Sequence, residues 1–120
     1  MWIFKIAAGL ILRDGGAGAL GSAYSGHGEG RDNVSKEAVK DVGPLPEGYY
    51  TIGPPYTDPH KGPLVMRLTP DPGNKMNGRG SFLIHGDNAA GDASLGCIVA
   101  SRPMRQAIAS SGDTRLRVEA

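Results

Sequence analysis

Apolar residues along the chain fall into short runs punctuated by glycine, proline and polar clusters, the pattern of strands joined by turns. Trp2 to Ala7 and Leu10 to Arg13 flank Ala8-Gly9, and a two-residue turn containing glycine predicts a hairpin there. The stretch from Gly15 to Asn33 is glycine-rich and polar and reads mostly as loop, with a short strand near Ala19 to Tyr24. Val34 to Val42 has a weakly helical composition but is too short for more than one or two turns. Three firmer strands follow at Gly48 to Ile52, Leu64 to Thr69 and Ser81 to His85. The signals Gly53-Pro54-Pro55 and Pro70-Asp71-Pro72-Gly73-Asn74 mark turns between them. Ser101 is placed to cap a helix, Pro103 suits its first turn, Met104 to Ile108 continue it, and Gly112 lies past its end. Thr114 to Val118 then closes a sheet. The pattern predicts a mainly β domain, a β-sandwich or partly open barrel with one short helix near the C-terminus. It is a single domain over residues 1–120, with an N-terminal hairpin and loop (1–42) ahead of a core (43–120).

Composition narrows the functional classes. A chain of 120 residues can bury a modest core without disulfides, and a single cysteine forms no internal bridge. With 13 basic and 12 acidic residues the net charge is +1, which argues against an electrostatic nucleic-acid binder. The opening MWIFKIAAGLIL superficially suggests a signal peptide, but it lacks a basic start, Lys5 interrupts it and no small-residue cleavage site follows. It reads as a strand, and it is too short to span a membrane. Neither a membrane segment nor export by the general secretory route is expected.

The chemistry concentrates in Ser81-Phe82-Leu83-Ile84-His85-Gly86-Asp87 and Ser94-Leu95-Gly96-Cys97-Ile98, which pair the one cysteine with a histidine at the end of an apolar strand. An ordinary thiol is about a few per cent thiolate at neutral pH, so a nucleophilic cysteine needs a base such as imidazole beside it. An activated Cys97 would be alkylated well below pH of about 8.5. Gly96 lets the backbone approach a substrate, and the Gly96 and Cys97 amides can face an oxyanion. Either Asp87 or the Gly86 carbonyl can orient His85. The plain alternatives are a cysteine serving as a small core residue and a histidine that is only a hydrogen-bonded surface group. His27, His60, His85 and Cys97 lack the close spacing that nucleates a zinc site, so no metal is expected. His60 sits in what reads as an exposed turn, Asp58 to Pro63.

The order of these motifs, IHG, then S-x-G-C-I, a short helix and Gly112-Asp113-Thr114-Arg115-Leu116-Arg117-Val118, resembles the catalytic core of L,D-transpeptidases. Gly43-Pro44-Leu45-Pro46-Glu47-Gly48-Tyr49-Tyr50-Thr51-Ile52 is similar to the strand entry of the same enzymes. Met1-Trp2-Ile3-Phe4, Asp14-Gly15-Gly16 and Tyr24 to Asn33 resemble the compact L,D-transpeptidase effectors of type VI secretion. Two positions depart from the larger family. Leu95 stands where a second histidine is usual and Val99 where an arginine is frequent, and the twelve-residue step from His85 to Cys97 is short.

The resemblance implies a cysteine L,D-transpeptidase or L,D-carboxypeptidase acting on peptidoglycan tetrapeptide stems, with no metal or organic cofactor. It further implies an antibacterial effector made in the cytoplasm and delivered to the periplasm of a target cell, with an immunity protein and a secretion carrier as partners. Since stems present carboxylates and amides, Tyr24, Ser25, Arg31 and Asp87 are candidate substrate contacts, with Arg79 and Arg102 behind them. Ser94 belongs with that set and also suits a local bond supporting the cysteine turn. The alternative is a catalytically silent wall-binding or inhibitor module on the same fold.

Overall fold

The computed structural model describes residues 1–15 and 20–120. The N-terminal run folds as the expected hairpin of β1 (Trp2–Lys5) and β2 (Leu10–Arg13). Its turn spans Ile6 to Gly9 rather than two residues, because Gly9 at φ +63° returns its amide to the Lys5 and Ile6 carbonyls. Strand β3 (Leu20–Ser25) follows where a short strand is expected and runs one residue further, to Ser25; Ala19 and Gly16 lie outside the described residues. Two single 3-10 turns, Gly28–Gly30 and Val34–Lys36, occupy the polar stretch after it.

Strands β4 (Gly48–Ile52), β6 (Gly62–Pro70) and β7 (Phe82–His85) form where apolar runs predict them. Two short strands were not visible in the pattern: β5 (Tyr56–Asp58) and β8 (Ile98–Ala100). Helix α1 (Arg102–Ser110) starts as expected, with the Ser101 hydroxyl accepting from the Met104 amide at 3.3 Å. Strand β9 (Arg115–Glu119) completes the set. Among the described residues no helix is long and apolar enough to cross a membrane.

The strands run in the order β4-β9-β1-β2-β3-β8-β7-β6, and β4 also pairs with β6, so eight strands close into a barrel to which β5 is appended. The architecture is thus mainly β with a barrel and one C-terminal helix, and the barrel closes through Tyr50↔Pro70 to Ile52↔Leu68. No seam falls at residue 42. Strand β1 sits between β2 and β9, parallel to β9 with Trp2 opposite Leu116, so hairpin and core share one sheet.

Alternation along the strands decides what fills the barrel. In β9 the even positions Leu116 and Val118 are buried while their neighbours are partly exposed. Trp2, Phe4, Ile11, Tyr50, Met66, Ile84, Ile98 and Leu116 form one core cluster, joined by Met104 and Ile108 of the helix. Register carries the alternation across strands: Met66↔Ile84, Ile84↔Ile98 and Ile98↔Ser25 make one inward row, all at most 1 % exposed. The adjacent row, His85↔Val99 and Val99↔Tyr24, therefore lies on the outer face.

Leu116 is fully buried between Trp2 and Tyr50 at the barrel seam. Leu116→Ala is expected to cost about 2–5 kcal/mol in urea unfolding, and a loss below about 1 kcal/mol would contradict the closed packing described here.

Candidate active site

Cys97 lies immediately before β8, and its Sγ accepts from the Leu83 amide at 3.3 Å. His85 pairs with Val99 across the parallel β7–β8 ladder, two residues beyond Cys97. A two-residue step returns to the same sheet face, so imidazole and thiol are diagonal neighbours on the barrel exterior. Both line a cleft of about 510 Å3, together with Lys40, Asp41, Lys61, Arg79, Phe82 and Leu95. The structure thus brings together the two residues on which nucleophilic chemistry depends.

The imidazole is oriented by its own strand end. His85 Nδ1 lies 2.7 Å from the Gly86 carbonyl oxygen. A carbonyl only accepts, so Nδ1 carries the proton and Nε2 is left with its lone pair as the basic atom. Of the two candidate orienters, Gly86 does the holding, while the Asp87 carboxylate accepts from Tyr24 Oη at 2.6 Å and the Asn88 amide at 2.9 Å.

Burial sets the protonation states. Desolvation lowers the His85 pKa below the ordinary imidazole value, against the pull of the Gly86 carbonyl. It raises that of Cys97, against the Leu83 amide and the charges of Lys61 and Arg79. Both shifts favour the uncharged forms, a thiol beside a neutral imidazole. At Cys97 desolvation outweighs the Leu83 amide and the nearby positive charge in setting the direction of the shift.

Several residues expected to touch substrate prove to be brackets behind the cysteine turn. Ser25 is fully buried; its hydroxyl donates to the Gly96 carbonyl at 2.9 Å and accepts from the Leu45 amide at 2.8 Å. Ser94, also fully buried, donates to the Cys97 carbonyl at 2.6 Å and accepts from the Gly26 and Gly96 amides at 2.9 and 3.1 Å. Neither hydroxyl reaches the surface. The last bond corrects the expected oxyanion site, since the Gly96 amide is held by Ser94, leaving the Cys97 amide as the remaining candidate donor. Gly96 is required for another reason. Its φ is +135°, and a Cβ there would meet Arg79 Nη2 at 2.5 Å and the Phe82 ring at 2.8 Å.

Tyr24, Arg31 and Asp87 are brought together with one another and not with Cys97. They line a second cavity of about 450 Å3 that also includes Arg102 and Arg105. Tyr24 is buried, and desolvation together with the Asp87 carboxylate pushes its phenol up to about 12. It therefore stays protonated, donating to Asp87 and accepting from the Ala93 amide at 3.0 Å. Arg31 stacks over its ring at 3.7 Å and donates to the Gly91 carbonyl at 3.0 Å. These contacts clamp the loop that joins His85 to Cys97.

His27 and His60 are exposed and absent from the lining of the cleft. Among the described residues no three His, Cys, Asp or Glu side chains converge on a metal position. Lys40 and Lys61, which sequence reasoning passed over, bring positive charge to the cleft. Nothing local in the sequence singles them out, because they arrive from separate loops.

Fold and site together define a closed β-barrel protein with a cysteine–histidine pair on its outer face. Residues 20–118 match the Tlde1 domain, and the chain belongs to that family, one of type VI secretion effectors. No curated protein and no solved structure matches the chain.

Two substitutions test this geometry. Ser25→Ala leaves the Leu45 amide and Gly96 carbonyl without their buried partner and is expected to cost about 1–3 kcal/mol in chemical unfolding. Gly96→Ala, strained at positive φ and crowded by Arg79, is expected to lower the melting temperature and to change the Cys97 alkylation rate; a variant indistinguishable from wild type in both would contradict the packed turn.

Proposed function

We propose that the protein is a cysteine L,D-transpeptidase or L,D-carboxypeptidase acting on peptidoglycan tetrapeptide stems. The observation that carries this reading is the placement of Cys97 beside a histidine whose Nδ1 is anchored on the Gly86 carbonyl, both lining one open cleft. Motif order, IHG followed by S-x-G-C-I, supports the same chemistry. Lys40 and Lys61 suit a stem that carries several carboxylates.

In the proposed reaction His85 Nε2 takes the Cys97 proton as Sγ attacks the carbonyl between meso-diaminopimelate and the terminal D-alanine. The Cys97 amide faces the tetrahedral oxyanion. Collapse breaks the C–N bond, the imidazolium returns its proton to the departing amine, and D-alanine leaves a thioester on Cys97. Water, a free D-amino acid or the amine of another stem then attacks the thioester, giving trimming, exchange or cross-linking. Because both groups start neutral, proton transfer accompanies attack instead of preceding it.

One competing reading, a catalytically silent wall-binding module, is favoured by the raised thiol and by Leu95 in the usual position of a second histidine. It predicts no product from wild type and a thiol titration that ignores His85. Incubation of the purified chain with disaccharide tetrapeptide is expected to yield tripeptide by mass spectrometry, with none from Cys97→Ala or His85→Ala; turnover that survives Cys97→Ala would sink the assignment.

The pH profile has a definite sign. His85 must be unprotonated to act, and burial places its pKa below the ordinary 6.5. The rate constant kcat/KM is therefore expected to stay flat as pH falls to 6.5 and to drop only below it; an acid limb centred above 6.5 would contradict the desolvated base.

Membership of the effector family supports a further step: the chain acts as an antibacterial toxin in the periplasm of a rival cell, carried there by a secretion component and neutralised in the producer by an immunity protein covering the Cys97 cleft. Expression with an appended export signal is expected to cause swelling or lysis that Cys97→Ala abolishes. Equal harm from the cytoplasmic form, or harmless export of active enzyme, would remove this reading.

A further inference from the structure

Arg79 stands in Asn77-Gly78-Arg79-Gly80-Ser81, just ahead of β7, and is 9 % exposed. Its Nη1 donates to the Glu37 and Pro44 carbonyls, each at 2.7 Å, and its Nη2 to the Gly43 carbonyl at 3.0 Å and the Leu95 carbonyl at 3.4 Å. The Phe82 ring lies against the guanidinium, 5.2 Å from its carbon. Among the described residues no carboxylate forms an ion pair with it. Taking a cation out of water is costly, and a cation bonded to neutral dipoles alone keeps an unneutralised charge in a medium that screens poorly.

That charge sits against the nucleophile's turn. Nη2 reaches the carbonyl of Leu95, and the space where a Gly96 side chain would begin is occupied by the same nitrogen. Tying the 37–44 segment to the turn requires only donors; it does not require a full positive charge. We propose that Arg79 is the positioning residue of the nucleophile, fixing Leu95-Gly96-Cys97 from behind and supplying the buried positive charge that steadies the thiolate. This rests on the reading of Cys97 as a nucleophile and assigns Arg79 a role different from the substrate contact its sequence suggested.

Other charged groups face the site. Lys40, Asp41, Lys61 and His85 line the cleft with Cys97, while Glu37, Asp41 and Tyr50 act on Arg79. Lys40, Asp41 and Lys61 are exposed and screened by solvent and salt. Lys61 and Arg79 both favour the thiolate against burial, and Arg79 is the one of the two that is itself buried.

The test is the pH dependence of iodoacetamide alkylation of Cys97 on the full chain, which needs no wall substrate. Arg79→Gln keeps amide donors and removes the charge; Arg79→Lys keeps the charge and removes the planar fork. The midpoint is expected to rise by about one pH unit or more in Arg79→Gln, about a tenfold slower reaction at pH 7.5, with the high-pH plateau unchanged. In Arg79→Lys it should stay within a few tenths of a unit of wild type. A wild-type midpoint in Arg79→Gln, or equal shifts in both variants, would overturn the proposal. If the glutamine variant does not fold, the lysine variant decides: an unmoved midpoint with native circular dichroism supports the role of charge, and a raised one overturns it. Absence of tetrapeptide turnover in wild type would remove the proposed reaction while leaving this thiol titration to stand or fall separately.

Discussion

The turn ahead of Cys97 is buried at Ser94 and Gly96, with the Leu95 side chain outside, and every polar atom it presents to the interior must find a partner there. Ser25, Ser94 and Arg79 meet that requirement between them, taking the Leu95, Gly96 and Cys97 carbonyls and the Gly96 amide. A buried polar group left unpaired costs about 1–3 kcal/mol, so the alternatives to this one arrangement are penalised at several points at once. Position of the thiol is thereby set largely from behind: the Ser25 and Ser94 hydroxyls are fully buried, and only Arg79 also borders the cleft. The brackets come from β3, from the loop ahead of β7 and from the turn itself, which makes the placement of Cys97 a product of the barrel wall.

The same wall dictates which face the chemistry occupies. Inward rows are apolar and sealed, so Ile84 and Ile98 bury themselves and the intervening positions, His85 and Cys97, turn outward. Outward does not mean solvated. His85 is 1 % exposed, and desolvation pulls base and thiol toward their uncharged forms.

Much of this was legible in the sequence where the signal is local. The strands at Gly48–Ile52 and Phe82–His85, the Ser101 cap and the pairing of His85 with Cys97 all follow from residues close together in the chain. Strand β8 is only three residues long and follows a glycine-rich turn, too brief for periodicity to reveal, and β5 is shorter than its flanking turn signals. Hydroxyl roles were illegible for a different reason. Whether Ser25 faces a ligand or the Gly96 carbonyl depends on the β3–β8 register, a contact across 71 residues of chain that no local pattern encodes. Arg79 is a similar case: an arginine in the sequence suggests a carboxylate partner, and only the fold shows four backbone carbonyls around it.

The parallel pairing of β1 with β9 carries a kinetic consequence. Trp2 meets Leu116, residues near opposite ends of the sequence, and β9 also bridges β1 to β4. Until the last strand is in place the barrel wall is open on that side, and the inward faces of β1 and β4 stay wet. Contacts of such long sequence separation pay their loop entropy before returning any stabilisation, which slows closure. Closure of the barrel therefore waits on β9, whereas the β3, β7 and β8 strands around Cys97 pair with one another without it.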